Sequence, residues 1–244
     1  MSAFKELLQN EELEKEFAYL RERPKGKARF LHAAFQGFSK FLFYTYTPHK
    51  TFGRELLPEP PYMICSNHCS HMDSTALMHA GGLGFNQYGM VAAKDYFFDT
   101  KRKNSLPLLM NLIPADRKSN RETIARLMAA CREFLQPGGR AIIIYPEGTR
   151  SLDGEMAPLK KGPAMIAAEL EIPIVPAYIK GTFASFPKGV SFPRPRKIRV
   201  HFGEAIDPKK IAEEESSNRL VYTKITDLLT ERITKLKEDS ENAS

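Results

Sequence analysis

The sequence predicts an α/β fold: a central, mostly parallel sheet flanked by helices and preceded by an amphipathic helical element. Three observations predict it. The chain has 244 residues, near the upper limit of what a single hydrophobic core holds, and 42% of them are hydrophobic, enough to offset the entropy of ordering. From residue 49 onward, short apolar runs alternate with helical segments. Ahead of that alternation lies an aromatic stripe at helical spacing, which divides the chain into an N-terminal helical element over 1–46 and a main domain over 47–244.

The elements follow in order. Asn10 caps a short helix whose face carries Leu13, Phe17 and Leu20, and 24–27 breaks it. In the longer helix that follows, Phe30, Leu31, Ala34, Phe35, Phe38, Phe41 and Leu42 fall within one stripe of roughly 140°, opposite His32, Gln36, Ser39 and Lys40. Such a stripe can dock on the body of the protein. Flanked by Arg29 and Lys40, it also suits insertion into a lipid headgroup layer, and different parts of the face can do each. Trimming residues 1–45 is accordingly expected to weaken liposome binding more than the fold.

Strands are expected at 62–66, 89–93, 141–145, 174–179 and 198–202. Between the second and third, Ser119 or Asn120 caps a helix carrying Ile124, Leu127, Met128, Cys131 and Leu135, and Pro137-Gly138-Gly139 closes it. Another helix starts near Gly162-Pro163, and a further one at Asp207-Pro208. A charged terminal helix over 217–237 buries Val221, Ile225, Leu228 and Leu236.

Composition narrows the function. Thirty-six Lys and Arg against 29 Asp and Glu give a net charge of +7, which favours an anionic partner. No apolar window is long enough to span a membrane and the N-terminus lacks a basic-then-apolar signal, so the expected place is the cytoplasmic face of a membrane, as a peripheral or monotopic protein. Cys65, Cys69 and Cys131 show no zinc or redox spacing and read as reduced thiols; no metal and no cofactor are implied. The basic stretch 188–199 is a solvated loop or a surface resting on anionic lipid, and no recognition motif accompanies it that would suit nucleic acid.

Two segments carry chemistry, and both leave an apolar run for a polar turn, where open α/β sheets gather their active residues. The first is Ser66-Asn67-His68-Cys69-Ser70-His71-Met72-Asp73. On a regular helix, residues 68 and 73 would stand about 140° apart, too far for a hydrogen bond. With His68 in a loop and Asp73 in the first turn of a helix, the carboxylate can hold one ring nitrogen and leave the other to take a proton. His71 is an alternative base without a suitably spaced carboxylate, and Ser70 a rival nucleophile without the G-x-S-x-G elbow that would expose it. The second segment is Tyr145-Pro146-Glu147-Gly148-Thr149-Arg150-Ser151. Gly148 frees the backbone for close approach, Thr149 offers a hydroxyl and an amide, and Arg150 can clamp a phosphate.

Together, N-H-x-x-x-x-D followed by P-E-G-T-R resembles the 1-acyl-sn-glycerol-3-phosphate acyltransferases among the glycerolipid acyltransferases. Ile113-Pro114-Ala115-Asp116-Arg117 is similar to the second block of that family and Ile174-Val175-Pro176-Ala177 to its fourth, so the likeness spans about residues 50–206. Asn111 stands where the family usually has glycine, and Cys69 where many members carry a larger polar residue. The resemblance implies a glycerolipid acyltransferase-like fold with His68 as base and Asp73 as its partner. It implies that Arg117, Glu147, Gly148, Thr149 and Arg150 bind or position the acceptor. The reaction it implies moves a fatty acyl group from acyl-CoA or acyl carrier protein to the sn-2 hydroxyl of 1-acyl-sn-glycerol-3-phosphate at a membrane surface, forming phosphatidic acid. A different lysophospholipid or an aminolipid as acceptor, a catalytically silent lipid-binding module and a fatty-acid-releasing hydrolase are the rival functions.

Overall fold

The near-continuous apolar runs become the middle of a sheet. The computed structural model describes residues 4, 10–94, 109–116 and 120–242. Its strands are β1 (His49–Phe52), β2 (Tyr62–Ser66), β3 (Tyr88–Ala93), β4 (Asn111–Ala115), β5 (Ala141–Ile144), β6 (Ile174–Lys180) and β7 (Ile198–Phe202), in the spatial order β1-β7-β6-β2-β5-β3-β4. All neighbours run parallel except β6 and β7. Every residue of β2 and β5 is buried, because both faces of these central strands are covered and neither face needs polar side chains.

The helices form the two outer layers: α1 (Glu11–Phe17), α2 (Gly26–Thr45), α3 (Asp73–Gly81), α4 (Arg121–Leu135), α5 (Gly162–Leu170), α6 (Thr182–Ser185), α7 (Pro208–Glu214) and α8 (Asn218–Asn242). On one side, Met128 and Phe134 of α4, Ala167 of α5 and Ile225 and Ile233 of α8 cover Met63, Ile142, Ile144 and Ile174. On the other, Phe43 of α2 and Ala76 and Leu77 of α3 cover Ile64, Ile143, Val175 and Ile198. Side chains of one strand thus alternate between two separate cores, as the pleat requires.

Local chemistry sets the helix starts. Asn10 accepts from the Glu12 amide at 2.8 Å, Asn120 from the Thr123 amide at 2.8 Å and Asp207 from the Lys209 amide at 3.0 Å, each satisfying an otherwise orphaned donor. Asn120 is therefore the cap of α4, and Ser119 lies outside the described residues.

Four expectations need correction. Strands β1 and β4 were not foreseen. β1 is a short edge strand whose alternate residues are exposed, and β4 carries Pro114, tolerated because β4 is the opposite edge. In α8 the buried hydrophobic positions are Val221, Ile225, Leu229 and Ile233, whereas Leu228 and Leu236 are only partly covered. In α2 the faces are rotated: His32, Ser39 and Phe43 are buried, Phe35 and Leu42 pack half-buried against the core, and Phe30, Phe38 and Phe41 point outward. His32 and Ser39, read as lying opposite the aromatic stripe, thus lie on the docked side.

Trimming 1–45 would also cut into the core, since Phe17 and Leu20 belong to the cluster built on α4. Arg140 reinforces that seam: its buried guanidinium donates to the carbonyls of Leu20 at 2.8 Å, Phe134 at 2.9 Å and Arg21 at 2.9 Å and lies over the Phe134 ring.

Topology also places the site. Parallel β2, β5 and β6 all end at one rim of the sheet, and β1, running against them, begins there, so the end of α2 reaches the same rim.

Candidate active site

At the end of β2, Asn67 joins the turn to the sheet. Its amide nitrogen donates to the Ile179 carbonyl at 3.0 Å and its oxygen accepts from the Ile179 amide at 2.8 Å, replacing a strand pairing with β6. The chain then folds back over the start of α3. Asp73, at the first helical position and fully buried, gathers that turn with one oxygen: Oδ2 accepts from the amides of Cys69 at 2.8 Å and Ser70 at 2.8 Å and lies 2.9 Å from His68 Nδ1. Three donors on one carboxylate oxygen hold the His68 ring by Nδ1 and leave Nε2 without that restraint. His68 is partly open to solvent, with 20% of its side chain exposed.

Tyr145, the residue after β5, fixes the plane of that ring. Its own ring stacks on His68 at 3.7 Å between centroids with 10° between planes, and its hydroxyl shares a 2.7 Å hydrogen bond with Ser74 Oγ of α3. Burial raises the Tyr145 pKa well above the ordinary phenol, so the hydroxyl stays neutral. Sequence reasoning missed both Asn67 and Tyr145. An amide flanking the histidine and an aromatic with a polar handle at a strand exit were the available signals, but their use depends on which strand lies alongside.

Glu147 ties the two strand exits together. One carboxylate oxygen accepts from the His68 amide at 2.7 Å and the other from the Ala157 amide at 2.8 Å. The side chain is buried, which pushes its pKa up while the two amides pull the other way. A carboxylate so occupied braces the turn from the wall of the crevice beside His68. The Ser151 amide adds a second tie, donating to the His68 carbonyl at 2.7 Å.

Gly148 has φ +74°, a left-handed backbone conformation that favours glycine. Gly148 and Thr149 are exposed on the turn after β5, and the Arg150 guanidinium reaches His71 Nε2. Arg117 lies outside the described residues.

The rival groups at this turn are differently engaged. Ser70 Oγ is buried, donating to the Phe186 carbonyl at 2.7 Å and accepting from the Met72 amide at 3.1 Å, so it is not presented to a substrate. His71 meets a guanidinium where His68 meets a carboxylate; partial burial and that guanidinium hold its pKa below the ordinary histidine value. Burial pushes the Cys69 thiol up to about 12, which keeps it protonated and inert. Beside His68 a narrow crevice is bounded by Asn67, Ser151, Met156, Tyr178 and Lys237, with Lys237 of α8 paired to Glu155 at 2.6 Å. Among the described residues no group of His, Cys, Asp or Glu could hold a metal ion.

The family model described as Acyltransferase matches residues 49–180, which contain both strand exits. The chain belongs to this acyltransferase family. A protein named 1-acyl-sn-glycerol-3-phosphate acyltransferase from Chlamydomonas reinhardtii is 31% identical over 172 residues, covering 66% of this chain and 48% of that protein. One of the same name from Borreliella burgdorferi is 27% identical over 184 residues, covering 75% of this chain and 69% of that protein. The chain thus spans about half the length, 48%, of the algal relative. In fold, this acyltransferase-family chain is similar to the crystal structure of a 1-acyl-sn-glycerophosphate acyltransferase from Thermotoga maritima, with a TM-score of 0.63 and 23% identity over 86% of this chain and 81% of that one.

Proposed function

We propose that the protein transfers a fatty acyl group from a thioester, acyl-CoA or acyl carrier protein, to the sn-2 hydroxyl of 1-acyl-sn-glycerol-3-phosphate, forming phosphatidic acid. One observation carries the reading: His68 is held through Nδ1 by a carboxylate, at a partly open strand exit of an acyltransferase-family fold. The relatives named as 1-acyl-sn-glycerol-3-phosphate acyltransferases support this choice of acceptor.

In the mechanism, Asp73 holds the proton on Nδ1, so Nε2 of His68 is the basic nitrogen. Nε2 takes the proton of the sn-2 hydroxyl as its oxygen attacks the thioester carbonyl carbon. The tetrahedral intermediate collapses, the C–S bond breaks, and His68 returns the proton to the departing thiolate. No acyl-enzyme forms, which agrees with the engaged hydroxyl of Ser70. Arg150, with Arg117, Gly148 and Thr149, binds the acceptor phosphate; Glu147 shapes the turn that carries His68.

The acceptor and the long acyl chains come from a membrane. Helix α2 turns Phe30, Phe38, Phe41 and Tyr44 outward at 72%, 63%, 65% and 87% exposure, beside Lys27, Arg29 and Lys40. Among the described residues no helix is long and apolar enough to cross a membrane. In this reading α2 rests in the headgroup layer by one face and packs on the domain by the other, and the protein works as a peripheral enzyme on the cytoplasmic face.

The test is to incubate the pure protein with a panel of lysolipids and both thioester donors and identify products by mass. Diacyl phosphatidic acid from 1-acyl-sn-glycerol-3-phosphate is expected, and Arg150→Ala should raise KM for that acceptor by about 10- to 100-fold, the worth of a charged hydrogen bond. Free fatty acid in excess of diacyl lipid would make the protein a hydrolase; no turnover of any acceptor would make it a lipid-binding module.

A further inference from the structure

We infer that the loop 186–197, between α6 and β7, is a second membrane foot that binds anionic lipid and sets the site rim against the bilayer; the inference rests on the proposed lipid acceptor. β6 ends at the rim where β2 and β5 deliver His68 and Tyr145, and the loop follows it directly after the single turn of α6, so it emerges on the side of the site.

Its two ends are anchored. At one, Ser70 bridges Pro187 and donates to the Phe186 carbonyl at 2.7 Å, while the Phe186 ring lies 5.7 Å from that of His71. At the other, the Arg194 amide donates to Ser185 at 2.8 Å and Ser185 Oγ returns a 2.7 Å bond to the Arg194 carbonyl. Between them, the Tyr46 hydroxyl at the end of α2 donates to the Pro193 carbonyl at 3.1 Å. The loop thus touches both the site turn and the aromatic helix, making one continuous margin.

What the loop exposes fits an anionic bilayer. Phe192 stands 81% exposed. Lys188, Arg194, Arg196 and Lys197 are exposed, and the segment contains no acidic residue. Among the described residues no carboxylate pairs with any of these four cations, although surface carboxylates elsewhere hold Lys15, Lys209 and Lys224. Unneutralised cations around an aromatic wedge suit a surface of negative headgroups, where each contributes independently and salt screens all of them.

Vesicle sedimentation tests this with phosphatidylcholine vesicles carrying or lacking phosphatidylglycerol. The charge-reversed variant Arg194→Glu/Arg196→Glu/Lys197→Glu should lose about 10- to 100-fold of its partition onto anionic vesicles. Its partition onto neutral vesicles, its melting temperature and its turnover of a short-chain monomeric acceptor should stay at wild-type values. The wild-type protein adds a measure without substitutions: binding to anionic vesicles must weaken steeply with salt. Undiminished binding by the triple variant, or salt-insensitive binding by the wild type, overturns the inference. Loss confined to Phe38→Ser/Phe41→Ser leaves α2 as the sole foot and rejects the loop; loss confined to the loop variant keeps the loop and rejects α2. A triple variant that binds normally yet no longer turns over the short-chain acceptor also overturns it.

Discussion

His68 is useful only if its proton sits on a defined nitrogen and its ring in a defined plane, and two different neighbours supply these. Asp73 fixes the nitrogen, at 2.9 Å from Nδ1, and Tyr145 fixes the plane by stacking at 3.7 Å. The two can be separated by substitution. Tyr145→Phe keeps the stack and loses only the bond to Ser74, so near-normal turnover is expected. Tyr145→Ala frees the ring and should lower kcat by about 10- to 100-fold with KM little changed, since loss of alignment acts on the chemical step. Equal kcat for the two variants would show that the stack does not orient the base. At this scale the sequence was partly legible. The need for a turn between 68 and 73 followed from helical geometry, because five positions on a helix put the two side chains on different sides. Glu147 was read as binding or positioning the acceptor; that both its oxygens serve backbone amides from distant residues is something no spacing along the chain reveals.

Helix α2 shows the same limit at the scale of an element. Its periodicity announced an amphipathic helix, but hydrophobicity ranks side chains without saying which face meets the protein. Here the docked face mixes His32, Ser39 and Phe43 with half-buried Phe35 and Leu42, and the more aromatic face is left outside. The two faces predict opposite behaviour. Phe38→Ser/Phe41→Ser should weaken vesicle binding several-fold and leave the melting temperature unchanged, because exposed side chains lose no core contacts. Phe43→Ala should instead destabilise the fold by about 3–5 kcal/mol, the cost of a cavity at a buried phenylalanine. Thermal unfolding and vesicle sedimentation on the same samples check both. A fall in melting temperature for the first variant would contradict the outward orientation. Truncation cannot make this distinction, since Phe17 and Leu20 belong to the main core.

Across the whole molecule, the buried central strands were the most legible part, because a run apolar on both faces has few other destinations than the middle of a covered sheet. The edges were not: β1 is half polar and β4 contains a proline, and edge strands are where such sequences are allowed. The β1 edge also brings a pH dependence. His49 lies among Phe43, His79 and Arg54 where α2, α3 and β1 meet, and burial, helped by His79 and Arg54, pushes its pKa down to about 4. The unfolded chain then holds this proton more readily than the native one, so stability present above the unfolded histidine pKa of about 6.5 is lost as pH falls toward 4. The loss attributable to His49 reaches about 3 kcal/mol, with His32, His79 and His201 shifting the same way. Melting temperatures should fall between neutral and mildly acidic pH, and less steeply in His49→Gln; identical slopes would remove His49 as a cause.

The central claim is that Nε2 of His68 takes the acceptor's proton, and single-turnover thiol release from acyl-CoA or acyl carrier protein, with and without 1-acyl-sn-glycerol-3-phosphate, tests it most directly. His68→Ala should cut acceptor-dependent release by about 10²- to 10⁴-fold while circular dichroism and melting temperature stay at wild-type values, and Asp73→Asn should also lose most of its rate. A folded His68→Ala protein that releases thiol at the wild-type rate in the presence of acceptor would contradict the account.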